Sequence, residues 1–241
     1  MKYADRAAGD RATGDRAAPY ITIPNNLFRA LYVLVAVLWL SSCAAELPEE
    51  IGGFWFYSFR GNPGPSGEAV AYVTPDEAST LGGGVASNPI GGPLSGRLGE
   101  RGRFTVRVDD YDSPRAVDVE GRLRTVDRAS GEWRAADGTN KGSFSAERFD
   151  SGDYPPERNP FLGTWNDFAD GGVTTLSFDE DFTFTGSEAD LRFRGQYAFD
   201  PDRGLVGVYE AGPEGVHMEM LPYRFSGPDT LVLSGSTYRR Q

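Results

Sequence analysis

The chain has 241 residues, with 24 Lys and Arg against 35 Asp and Glu. Its net charge of −11 excludes nucleic acid and an anionic membrane surface as main partners, since both reward positive charge. One cysteine excludes an internal disulfide and one histidine excludes a histidine-rich metal site, while 31 glycines, 15 phenylalanines and 11 tyrosines point to strands joined by turns.

Residues 1–26 contain a five-residue repeat, Ala4-Asp5-Arg6-Ala7-Ala8, Gly9-Asp10-Arg11-Ala12-Thr13 and Gly14-Asp15-Arg16-Ala17-Ala18. It has no large apolar residue and cannot bury a core, so the segment is expected to be disordered, or to lie upstream of the true start. From Ala30 to Leu40 the chain is wholly apolar and follows Arg29. Eleven such residues fall short of the ~20 needed to span a bilayer and fit the apolar region of a signal peptide over 27–42.

Leu40-Ser41-Ser42-Cys43 comes next and resembles the lipobox of bacterial lipoproteins. The resemblance implies cleavage before Cys43, acyl chains on that residue, and a tether over 43–50. Each buried acyl CH₂ contributes about 0.8 kcal/mol, so two or three chains anchor firmly. Ala44 follows the cysteine, and with that residue there the resemblance implies the outer membrane, facing the periplasm or the cell surface.

Beyond the tether the pattern predicts an all-β protein with two small antiparallel domains, 51–149 and 161–241, joined by the proline-rich linker 150–160. In the first domain Phe104, Val106 and Val108 alternate with Arg103, Thr105 and Arg107, and Val117, Val119 and Leu123 alternate with charged residues. Between Thr74 and Arg101 the glycine-rich runs Leu81-Gly82-Gly83-Gly84-Val85 and Ile90-Gly91-Gly92-Pro93 predict a long loop without regular structure. The glycine triplet lacks the Lys-Ser/Thr of a phosphate loop.

In the second domain the odd positions from Leu191 to Phe199 are apolar or glycine, Asp200 to Gly204 is a turn, and Leu205 onwards returns. Asp179-Glu180-Asp181 and Gly227-Pro228-Asp229 mark further turns, and inward parity is expected to switch near Pro222. About eight strands result. A meander of that size avoids bare edges by closing into an up-and-down barrel.

Phe161-Leu162-Gly163-Thr164-Trp165, with Gly195-Gln196-Tyr197 and the terminal Tyr238-Arg239-Arg240, resembles the pattern of lipocalin-like domains. The resemblance implies that Gly163 and Trp165 close the barrel bottom, with Arg239, or else Arg240, packed across the tryptophan. Gly53-Phe54-Trp55 and Gly131-Glu132-Trp133 repeat the G-x-W pattern, so Trp55 either opens a second barrel or simply starts a strand.

No residues frame a catalytic constellation, so an enzyme is not expected and no cofactor is implied. His217 alternates with Met218 and Met220 and is read as outward and solvated. Asp109, Asp110 and Asp112 are weak calcium candidates that do not fit the twelve-residue cation loop. The inward aromatics Phe193, Tyr197, Tyr223 and Phe225 are the candidate ligand residues, whether they fill a core or line a pocket. The expected function is therefore a membrane-anchored envelope lipoprotein that binds a small apolar or aromatic ligand. An interaction module using strand edges and the glycine-rich loop is the alternative, and a carboxylate-based hydrolase a more remote one.

Overall fold

Sixteen strands in two closed antiparallel barrels account for nearly all regular structure in the computed structural model, which describes residues 51–62, 65–87, 91–111, 115–167, 174–188, 191–212 and 215–241. The repeat, the apolar segment, Cys43 and Asp112 lie outside the described residues.

The first barrel runs in sequence order through β1 (Gly53–Gly61), β2 (Gly67–Pro75), β3 (Thr80–Ser87), β4 (Gly92–Leu98), β5 (Arg103–Asp109), β6 (Ala116–Thr125), β7 (Arg128–Ala135) and β8 (Lys141–Arg148). The second repeats the plan with β9 (Gly163–Asp167), β10 (Thr174–Phe178), β11 (Thr183–Glu188), β12 (Leu191–Asp200), β13 (Leu205–Gly212), β14 (Gly215–Phe225), β15 (Thr230–Leu233) and β16 (Ser236–Arg240). Each closes by pairing first strand with last, placing Trp55 opposite Arg148 and Trp165 opposite Arg240. Trp55 thus opens a second barrel of the same design. Closure also removes the strand edges that the interaction-module alternative required.

The expected loop between Thr74 and Arg101 is instead β3 and β4, joined to their neighbours in regular register. Its glycines allow strands to approach closely at the curved wall. A Cβ on Gly83, whose φ is +131°, would lie 1.8 Å from the Tyr72 carbonyl oxygen.

Local chemistry sets the hairpin turns. The Asp137 carboxylate accepts from Thr139 N at 2.9 Å and Thr139 Oγ1 at 2.6 Å. Asp181 does the same with Thr183 N at 3.1 Å and Oγ1 at 2.6 Å. These bonds hold both carboxyls below the usual Asp range. The linker is built of two short 3₁₀ turns, and its Tyr154 stacks on Phe149 with centroids 5.4 Å apart.

The parity of β14 does not switch at Pro222. Leu221, Tyr223 and Phe225 all pack on the second barrel's core, while Met218 and Met220 face the other barrel. Pro222 fits within the strand because it takes part through its carbonyl, which accepts from Ser234 N at 2.8 Å.

The outer faces of β1 to β3 pack on those of β12 to β14. Phe54, Phe56, Val70 and Ala86 meet Ala198, Leu205 and Met218 in a buried apolar layer. At its margin the Tyr111 hydroxyl donates to the Val216 carbonyl at 2.6 Å. Arg203 pairs with Asp200, donates to Ser58 Oγ at 3.3 Å and lies 3.6 Å from Glu68.

Candidate functional site

The tryptophan end of each barrel is built alike. Gly53 and Gly163 start their strands at φ +103° and +107°, a conformation that favours glycine. The chain therefore doubles back under the indole two residues on. Trp55 Nε1 donates to the Ile51 carbonyl at 2.9 Å and Trp165 Nε1 to the Phe161 carbonyl at 2.7 Å. Across Trp165 lies Arg240, not Arg239. Its guanidinium carbon is 4.5 Å from the ring centre, and its nitrogens donate to the Leu162 and Pro160 carbonyls, both at 3.0 Å. Arg239 is one residue out of phase and points to solvent.

The interiors differ because the residues below those closures differ. In the second barrel Phe161 is fully buried and meets the rings of Phe178, Tyr197, Phe199, Tyr223 and Phe225 at 4.8–5.9 Å. The Tyr197 hydroxyl accepts from Asn159 Nδ2 at 2.7 Å and donates to the Asp179 carbonyl at 3.3 Å. Burial pushes its pKa up to about 12, partly opposed by the Asn159 bond and reinforced by Asp179 and Asp181. Phe193 folds over Gly186, where a Cβ would come within 1.9 Å of its ring. The four expected ligand residues therefore belong to a packed core: Tyr197, Tyr223 and Phe225 surround Phe161, and Phe193 is half-buried beside Phe184.

The first barrel is hollow. Its inward positions carry Ala69, Val85, Val106, Val119 and Ala129, and Ile51 stands where the second barrel has Phe161. A cavity of about 460 Å³ remains, within the range of small-molecule sites. Its floor is Trp55, Ile51, Leu81 and Leu123, and its walls are aromatic and aliphatic. Arg115, Asp137, Thr139 and Asn140 line the opposite end, where the first three are solvent-exposed. This site was missed in the sequence because alternating alanine and valine read as a strand face whether the space behind it is filled or empty.

Two polar groups interrupt the apolar wall. Tyr57 projects from β1 two residues above Trp55, its ring 5.6 Å from that of Phe144. It has no hydrogen-bond partner among the described residues, and burial drives its pKa well above the ordinary tyrosine value. The surface it retains faces the cavity. Trp133 of β7, edge-on to Phe59 at 6.1 Å, has a buried Nε1 without a partner among the described residues.

The remaining candidates are placed as follows. Asp109 pairs with Arg107 at 3.0 Å and Asp110 with Arg115 at 3.1 Å, so arginines take the oxygens a cation would need. No group of three metal-ligating side chains occurs among the described residues. His217 is solvated as expected, but it shares the inward side of β14 at the barrel rim, 2.9 Å from Glu219. The Glu210 carboxyl opposite is raised, mainly by desolvation and against the attraction of His217.

No protein-family model and no curated protein matches the chain. Among solved structures, the chain is similar to a redesigned β-barrel at 17% identity, over 44% of this chain and 96% of the other, with a TM-score of 0.35.

Proposed function

We propose that this chain is a non-catalytic binding protein of the bacterial envelope, anchored by acyl chains on Cys43, which holds a small apolar ligand in its first barrel. The observation that carries the ligand reading is the cavity of about 460 Å³ above Trp55, lined mainly by apolar side chains. The anchor rests on the apolar run Ala30–Leu40 followed directly by Leu40-Ser41-Ser42-Cys43. The outer membrane is the proposed location. An interaction module is less favoured, since its glycine-rich loop is two paired strands and its strand edges are joined.

The test is native mass spectrometry of the full chain extracted from its host's membranes, beside an Ala69→Leu variant that fills the cavity. The expected result is a chain beginning at acylated Cys43 with a small-molecule adduct. The variant loses both the adduct and binding of phenylnaphthylamine, at unchanged stability or a gain of about 1 kcal/mol. An unprocessed chain overturns the anchor, and a variant that still binds the fluorophore overturns the site.

A further inference from the structure

We infer that the cavity of the first barrel selects an uncharged apolar molecule carrying one hydrogen-bond acceptor, such as a ketone or ester carbonyl, which docks on the Tyr57 hydroxyl. This inference rests on the ligand reading above and specifies what that ligand is.

Three observations combine. First, Tyr57 stands at mid-depth in an apolar chamber with no hydrogen-bond partner among the described residues. The Tyr57 hydroxyl opens on the cavity and meets no acceptor among the described residues of its wall, so an acceptor placed opposite it gains a hydrogen bond in an apolar chamber. Burial keeps this hydroxyl protonated throughout the physiological range, so it remains a donor. Second, a further lining residue, Trp133, has a buried Nε1 that is a donor without a partner among the described residues. Trp133 pairs with Gly142 and so lies nearer the polar end than Tyr57, its Nε1 set against the β8 backbone. A wall whose unmatched polar atoms are donors is complementary to an acceptor.

Third, charge is absent at that depth. Among the described residues the charged lining side chains are Arg115 and Asp137, both at the exposed end, and Arg115 already lies 3.1 Å from Asp110. A carboxylate beside Tyr57 would lose its hydration without gaining a counter-ion, a cost that one hydrogen bond does not offset. The acceptor is therefore neutral.

The experiment compares three probes sharing one ring system: naphthalene, acetylnaphthalene and naphthoate. Each is titrated by calorimetry into the full chain and into a Tyr57→Phe variant. In the wild type acetylnaphthalene should bind tightest and naphthoate weakest. Tyr57→Phe should weaken acetylnaphthalene roughly five- to tenfold, the loss of one hydrogen bond, and leave naphthalene unchanged. Unchanged naphthalene binding also shows that the variant is folded. If Tyr57→Phe binds acetylnaphthalene as well as the wild type does, or if naphthoate binds best, the inference is overturned while the ligand site stands. If none of the three binds the wild type, both the inference and the ligand reading fall.

Discussion

The ring of Tyr72, on the outside of the first barrel, stacks on that of Tyr209 of the second, with centroids 3.9 Å apart and planes 23° apart. The pair borders the apolar layer between the barrels, where Val70 is fully buried and opposes Gly207. The two barrels thus share a third core, formed from surfaces that would face water in either barrel alone.

That layer has no room for a methyl group at position 207. A Cβ there would lie 2.6 Å from Val70 Cγ1 and 3.3 Å from Phe54 Cδ1. Gly207→Ala should therefore destabilise the protein by about 1–3 kcal/mol, read as a lower denaturation midpoint in urea. Wild-type stability in this variant would mean that the barrels do not press together at Gly207.

Arg240 and Arg239 are adjacent arginines with unequal work. Arg240→Leu removes two charged hydrogen bonds to chain carbonyls and the contact with Trp165, at a cost of about 2–3 kcal/mol. Arg239→Leu, on the exposed face, should stay within about 0.5 kcal/mol. Thermal unfolding of both variants decides the matter, and equal losses would contradict the closure described for Trp165.

Tyrosine burial should make the fold sensitive to alkali. The Tyr197 pKa is raised to about 12, so below pH 10 it is neutral whether the chain is folded or unfolded. Above pH 10 only the unfolded chain releases the proton, and stability falls until the pH passes the folded value. The loss approaches roughly 2–3 kcal/mol for this residue. Tyrosinate absorbance should then lag behind an ordinary tyrosine titration and rise together with unfolding, while Tyr197→Phe should show a shallower alkaline decline.

Much of this architecture is legible in the sequence, and for identifiable reasons. Alternation in Arg103–Val108 and Leu191–Phe199 marks strands with one wet face, and Asp200-Pro201-Asp202-Arg203-Gly204 marks a turn by chemistry that acts over a few residues. The G-x-W pattern is less decisive. Trp55 and Trp165 hold barrel ends through a bond to the carbonyl four residues back, whereas Trp133 sits within β7 and lines the cavity. The glycines of β3 read as a loop because their role depends on the carbonyl of a neighbouring strand.

The sequence by itself determined the strand alternation, the turns, the two-domain division and the number of strands in the second barrel, because each depends on residues close together in the chain. The tertiary structure alone decided which barrel is hollow, that β1 is buried on both faces, that Met218 and Met220 face the other barrel, and that Arg240 covers Trp165. Those outcomes depend on how much volume eight strands place around a common axis, and on which outer faces meet. Both are sums over residues far apart in the chain, so no local pattern carries them.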